Sequence, residues 1–312
     1  MIKYTAGTSL GVLKNEPSDQ YQAIITSPPF WGLRDYGTGS WVGGDPNCPH
    51  KRLTKIKNDN DNTGHLGMYR QGHVVADAIY KTTCPCGANR IDEQLGLEET
   101  PAQYVNKLKE VFSECRRVLK KDGVLFLNLG DTYAHQANKA HNIKAKEIYG
   151  LPWKVAFALQ ENGWYLRQEI IWRKLNPMPE PVKDRFTRSH EYIFMFTKNK
   201  KYYFDNMAIK EPTSDGKALR QKRSVWETPV ASSGKFHFAV FPEELILPCL
   251  LSATKENDLV LDPFAGSGTV GVVSKKNNRS CHLIDLNNNY IEKAKARINK
   301  ITTTENLDLF QG

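Results

Sequence analysis

The sequence predicts an α/β protein with a twisted, mostly parallel sheet and helices on both faces. Three observations predict it. Short apolar runs such as "YQAII" (21–25) and "VLFLNLGD" (124–131) read as buried strands. Amphipathic segments of helical period lie between them. Near the C-terminus, "LVLDPFAGSGTVG" (259–271) runs from a strand through a glycine turn into a helix.

Each element follows in order. Residues 1–36 read as two short strands around a turn or helix. Residues 37–95 carry glycines, asparagines and charges with little periodicity, the pattern of a functional insertion or a mobile stretch. Thr100 to Leu119 is an amphipathic helix, with Thr100 as N-cap and Pro101 in the first turn. Its Tyr104, Leu108, Val111, Phe112, Cys115 and Leu119 recur at helical spacing. The turn Lys121-Asp122-Gly123 leads into "VLFLNLGD". "LPWKVAFALQENGW" is a helix ending at Gly163, and "YLRQEIIWRK" is a strand stopped by "NPMPEPV". "HEYIFMFTK" is a further strand, residues 198–235 are polar, and "FPEELILPCLLSAT" is a helix. Strand, glycine turn, helix, strand and helix close the chain.

A chain of 312 residues suits one large α/β domain or two smaller ones. With 40% hydrophobic and 25% charged residues, the composition is that of a soluble globular protein. No apolar run is long enough to cross a bilayer, and the N-terminus lacks the apolar core of a signal peptide, so a cytosolic protein is expected. A net charge of +9 and a pI of about 9.1 favour a polyanionic partner. The six cysteines are not expected to form a disulfide framework. Cys115, Cys249 and Cys281 lie in apolar-periodic segments as buried thiols. The tail "ENLDLFQG" (305–312) resembles a protease-tag remnant and is left out of the fold.

Two motifs carry chemistry. In the C-terminal turn, Gly266, Gly268 and Gly271 satisfy G-x-G-x-x-G, and Asp285 closes the next strand, placed to accept from ribose hydroxyls. Alone, this pattern also describes a tight turn with no ligand. The chain ends one helix past Asp285, so the remaining strands of the sheet must come from upstream. The second motif, "TSPPF" (26–30), ends one of those upstream strands. Active groups of a parallel sheet gather at the carboxyl ends of its strands, which brings both turns to one edge. Alone, this motif reads more readily as Ser27 capping a helix and Phe30 filling the core.

Together, "TSPPF" and "DPFAGSGT" (262–269), in that order, resemble the DNA amino-methyltransferases of the β group. Flanks such as "GLRDYG", "RRVLKKDGVLFLNLGDTY", "LPWKVAFALQENGWYLRQEIIWRKLNPMPE" and "FHFAVFPEEL" extend the likeness over most of the chain. The resemblance implies a Rossmann-like methyltransferase fold with circularly permuted motif order. It implies one catalytic domain over 1–304, with an insertion at 37–95 and a polar target-recognition segment at about 198–235. The implied activity is transfer of a methyl group from S-adenosylmethionine to the exocyclic amine of a flipped DNA base.

In that family the serine and following carbonyl accept the amine protons. This assigns Ser27, Pro28, Pro29 and Phe30 to catalysis, with rigid prolines aiming the acceptors and Phe30 stacking the base. The cofactor would lie against Asp262, Pro263, Phe264, Ala265, Gly266, Ser267, Gly268, Thr269 and Asp285, with Phe238 and Phe241 beside it. Serine at the head of the tetrapeptide goes with N4 of cytosine, and N6 of adenine is the alternative. Rival readings are methylation of an RNA or protein amine, and a zinc-bearing DNA-binding protein that has lost catalysis. The expected partner is double-stranded DNA, not a membrane. A cognate restriction endonuclease would be a separate chain, and the enzyme a monomer or homodimer in the cytoplasm of a prokaryotic cell, or phage-encoded.

Within the insertion, "CPH" and "CPC" bring Cys48, His50, Cys84 and Cys86 as a candidate Cys3His zinc set, with loose surface cysteines or a site degenerated through a lost residue as the alternatives. Each pair is separated by one residue, not the usual two. "KDRFTRSH" (183–190) and "ALRQKRSVWET" (218–228) offer Arg185, Arg188, Arg220, Lys222 and Arg223 as candidate DNA contacts.

Overall fold

The computed structural model describes residues 1–50, 83–134, 136–138, 141–230 and 241–301. In chain order these form β1 (Ile2–Ala6), α1 (Ser9–Lys14), β2 (Tyr21–Thr26), β3 (Ser40–Val42), β4 (Asn89–Ile91), α2 (Pro101–Val118) and β5 (Leu119–Leu129). There follow α3 (Leu151–Glu161), β6 (Tyr165–Lys174), β7 (His190–Thr197), β8 (Glu211–Pro212), β9 (Leu219–Arg220) and β10 (Val225–Thr228). The last elements are α4 (Glu243–Ala253), β11 (Leu259–Asp262), α5 (Thr269–Lys276), β12 (Ser280–Asp285) and α6 (Asn288–Asn299).

Among the described residues, eight strands form one sheet in the order β1-β12-β11-β2-β5-β7-β6-β10. Only β7 runs against the others. The C-terminal strands β11 and β12 are thus inserted between β1 and β2, as the motif order required.

Buried strands alternate their side chains between the two faces. Ala23, Ile25, Val124 and Phe126 pack under α4, α5 and α6, while Ile24, Leu125, Leu127 and Leu129 pack under α1, α2 and α3. Helix α2 starts where a local signal starts it. The Thr100 hydroxyl accepts from Gln103 N, and the Gln103 side chain accepts from Thr100 N, a reciprocal cap.

Two stretches depart from expectation. Lys121-Asp122-Gly123 lies inside β5 and not in a turn. A Cβ at Gly123 would stand 2.6 Å from the Leu119 side chain, so glycine lets that strand fold back closely. In the stretch 37–95, residues 51–82 lie outside the described residues, and β3 pairs antiparallel with β4.

The polar segment beginning at 198 divides. Lys198 Nζ donates to Leu119 O at the start of β5, Tyr203 N to Asp122 O, and Asp205 N to Ser252 O at the end of α4. It runs along the amino-terminal edge of the sheet until β10 carries it across. No helix among the described residues is long and apolar enough to cross a membrane.

Candidate active site

β2 and β11 are parallel neighbours, with Ala23 beside Val260 and Ile24 beside Leu261. Their carboxyl ends therefore deliver the two motifs side by side. The Thr26 hydroxyl donates to Asp262 Oδ1 at 2.7 Å, joining one motif to the other, and Phe264 N donates to the same oxygen at 3.1 Å. Burial pushes the Asp262 carboxyl up to about 7, against the pull of those two donors and with a further push from Asp285.

The glycine turn is shaped by close approach. Gly266 has φ +49°, and a Cβ there would meet nothing within 4 Å, so its face is open. Gly268 has φ +77°, and its Cβ would lie 2.6 Å from Ala294 Cβ, so only glycine lets α6 pack on the turn. The Ser9 hydroxyl holds Pro263 O at 2.5 Å, and Ala265 N donates to Ile284 O. Ser267 and Thr269 face the Arg297 guanidinium, whose Nη1 lies 3.0 Å from Thr269 Oγ1. Asp285 accepts from Gly266 N and Asn287 N, each at 2.8 Å, and burial raises its carboxyl. Each of its oxygens keeps a lone pair for another donor.

At the other motif, Ser27 Oγ donates to Asn128 Oδ1 at 3.0 Å, while Asn128 Nδ2 donates to Tyr192 O at 3.1 Å. The second bond fixes which way the amide faces, since only nitrogen can donate to a carbonyl. Ser27 must then give its proton to Asn128 and keeps lone pairs for another donor. The Tyr104 hydroxyl donates to Pro29 O at 2.9 Å, whereas no donor among the described residues reaches the Pro28 carbonyl. The Phe30 ring lies against Gly130, where a Cβ would stand 2.5 Å from it. Beyond Phe30, Trp31 donates to Glu98 O and meets the Tyr149 ring edge-on at 4.9 Å. Asn128 and Gly130 were not singled out from sequence. Their signal is an amide within the apolar run Val124–Leu129 and a glycine directly after it.

The other sequence candidates fall in different places. Phe241 packs against Trp172 of β6, and Phe238 lies outside the described residues. Cys48, His50, Cys84 and Cys86 come together beside the β3–β4 hairpin, with their ligand atoms all within 4.8 Å of one another. Arg185 and Arg188 lie on the loop between β6 and β7, at the edge that holds Ser27. Arg185 pairs with Glu180 and lies 3.8 Å over the Tyr133 ring, and Arg188 stands 3.9 Å from Asp131. Phe186 between them is 98% exposed.

Arg220, Lys222 and Arg223 do not join them. They come just before β10, whose first residue, Val225, pairs with Ile171 partway along the parallel strand β6. Arg220 and Lys222 pair with Glu211.

The strand order, the open glycine turn and the adjoining Ser-Pro-Pro-Phe turn define a Rossmann-like methyltransferase fold. A DNA methylase family profile matches residues 21–296, and the chain belongs to that family. It is 40% identical over 311 residues to the Type II methyltransferase M.Cfr9I of Citrobacter freundii, covering 94% of this chain and 86% of that protein. It is 39% identical over 311 residues to M.XycI of Xanthomonas campestris pv. cyanopsidis, with the same coverage. Among solved structures, the PvuII cytosine-N4-specific DNA methyltransferase matches with a TM-score of 0.65 and 18% identity, over 97% of this chain and 88% of that one. The Thermus thermophilus protein TTHA0409, complexed with S-adenosyl-L-methionine, matches with a TM-score of 0.60 and 20% identity, over 96% and 94%.

Proposed function

We propose that residues 1–304 form one catalytic domain that methylates N4 of cytosine in double-stranded DNA, with S-adenosylmethionine as donor. The observation that carries this is the Thr26–Asp262 hydrogen bond, which sets an amine-accepting turn against a glycine turn with an open face. The donor set fits the cofactor. Gly266 leaves room for it, Asp285 has acceptor capacity for ribose hydroxyls, and Asp262 to Thr269 line the turn. When bound, that cofactor supplies an activated methyl group.

The chain's own residues do the rest. An exocyclic amine is a weak nucleophile because its lone pair is delocalised into the ring. Ser27 Oγ and the Pro28 carbonyl accept its two protons, which orients the nitrogen and raises its electron density. Two prolines fix the turn, and the Tyr104 bond to Pro29 O adds to that rigidity. Phe30, backed by Gly130, offers its face to a base taken out of the duplex. The loop with Arg185, Phe186 and Arg188 meets the DNA. Preference for cytosine is supported by Ser27 at the head of the tetrapeptide and by likeness to a cytosine-N4-specific enzyme. The relatives' Type II names support a role beside a separate restriction endonuclease, in the cytoplasm.

The test supplies methyl-labelled cofactor with duplex DNA, RNA or protein, then digests the labelled DNA to nucleosides. N4-methylcytosine is the expected product. N6-methyladenine would overturn the choice of base, and label in RNA or protein alone would overturn the substrate class.

A further inference from the structure

The group formed by Cys48, His50, Cys84 and Cys86 takes no part in the chemistry above. Cys48 Sγ lies 3.7 Å from Cys84 Sγ, and Cys86 Sγ lies 3.6 Å from His50 Nδ1. A disulfide would need about 2.05 Å between sulfurs, so Cys48 and Cys84 are not joined. Tetrahedral zinc, with Zn–S near 2.3 Å and Zn–N near 2.05 Å, sets sulfur pairs about 3.8 Å apart and sulfur–nitrogen pairs about 3.6 Å apart. The two close pairs match those edges.

The local backbone is built around these ligands. Cys84 N donates to Ala88 O and Gly87 N to Cys84 O, closing a tight turn with Gly87 at φ +89°. Gly44 packs so closely on this turn that a Cβ there would stand 2.5 Å from Ala88 N, which presses the Cys48 loop onto the Cys84 loop. The His50 ring stacks on Trp41 at 4.8 Å and 17°. His50 holds φ +41°, a left-handed conformation that a non-glycine residue keeps only where its surroundings hold it there.

β3 and β4 have three residues each, and an isolated two-stranded hairpin is marginal in water.

We propose that Cys48, His50, Cys84 and Cys86 bind one structural Zn²⁺ in a closed Cys3His site. The ion clips together the two ends of the insertion. Three soft thiolates and an imidazole select zinc, and four protein ligands leave no open position for catalysis. The clip reaches the active site through buried polar contacts. Arg90 of β4 holds Asp35 through both Nη atoms, at 2.7 and 3.0 Å, and Gln94 binds Tyr36 N and Arg34 O. Gly32 N then donates to Gly96 O, directly behind Phe30. The zinc unit thus braces the wall that follows Ser-Pro-Pro-Phe.

The test uses the full chain, purified reduced and without chelator. Elemental analysis should find about one zinc per chain, released when a mercurial thiol reagent is added. Replacement by Co²⁺ should give thiolate-to-cobalt charge transfer and tetrahedral visible bands. Cys86→Ser should lose the metal and Cys115→Ser should keep it. If Cys86→Ser does not fold, the wild-type cobalt spectrum decides. A folded, reduced wild-type chain without stoichiometric zinc and without cobalt bands overturns the proposal. Stoichiometric iron in place of zinc overturns it as well.

Discussion

In the proposed function Ser27 is useful only if its lone pairs face the substrate, and the Asn128 hydrogen bond is what turns them there. The Asn128 amide is pinned by its own bond to Tyr192 O, so its oxygen is always presented to the serine proton. Asparagine is neutral and cannot take that proton, so its role is to position the hydroxyl. Ser27→Ala removes an acceptor of the amine and should lower kcat by about 10²-fold, similar to removing one hydrogen-bonding group from a preorganised site. Cofactor affinity should stay near wild type. Asn128→Ala frees the hydroxyl to rotate and should lower kcat about 10-fold, the worth of one hydrogen bond. Asn128→Asp sets a carboxylate oxygen against Tyr192 O and should not restore the rate. Calorimetry of cofactor binding beside single-turnover rates checks all three. A collapse of cofactor affinity in Ser27→Ala would mean that the serine belongs to the cofactor turn instead.

Among the elements, the loop from Leu175 to Ser189 is the one that the proposed function sets against the duplex. Arg185 and Arg188 are already held there by Glu180 and Asp131, and those contacts leave Phe186 standing out at 98% exposure. An apolar ring so placed beside two cations fits the gap left by a flipped base. Phe186→Ala should raise the KM for DNA several-fold and reduce the fluorescence change of a 2-aminopurine at the target. Thermal stability and cofactor affinity should not move; a change in cofactor affinity with unchanged DNA KM would count against the placement. This loop also shows what could be read early. Helix α2 was legible because Thr100, Pro101 and the apolar period are local signals. The meeting of Ser27 with Asp262 was legible because parallel strands share an edge. The place of Arg220–Arg223 in the fold was not, because it depends on β10 pairing parallel with β6, a choice made far away in sequence. Asn128 was hidden for the same reason: its partners come from β2 and β7.

Across the whole molecule, the central strands carry two buried titratable groups whose effects on stability have opposite signs. His282 in β12 bonds to Tyr21 OH at 2.7 Å and to Thr5 Oγ1 at 2.9 Å, and Tyr21 donates onward to Glu16. With the tyrosine proton given to Glu16, His282 Nδ1–H donates to Tyr21 and Nε2 accepts from Thr5, an arrangement for neutral imidazole. Burial, with Lys3 adding and Glu16 opposing, pushes His282 down to about 4. The unfolded chain then binds the proton more readily, near its ordinary value of about 6.5, so this group's stability is present above that pH and lost toward 4. Asp262, pushed up to about 7, does the reverse: the folded chain keeps the proton longer, so stability falls as pH rises from about 4 to 7. Each contribution is on the order of 3 kcal/mol, and in the wild type they oppose each other over the shared window. Single variants should separate them. Relative to wild type, Asp262→Asn, whose Oδ1 can still accept from Thr26, should gain stability as pH rises from about 4 to 7. His282→Gln should lose relative stability as pH rises from about 4 to 6.5. Urea unfolding of the cofactor-free chain across this range measures both. Curves for both variants that run parallel to wild type would mean that neither group titrates differently on folding.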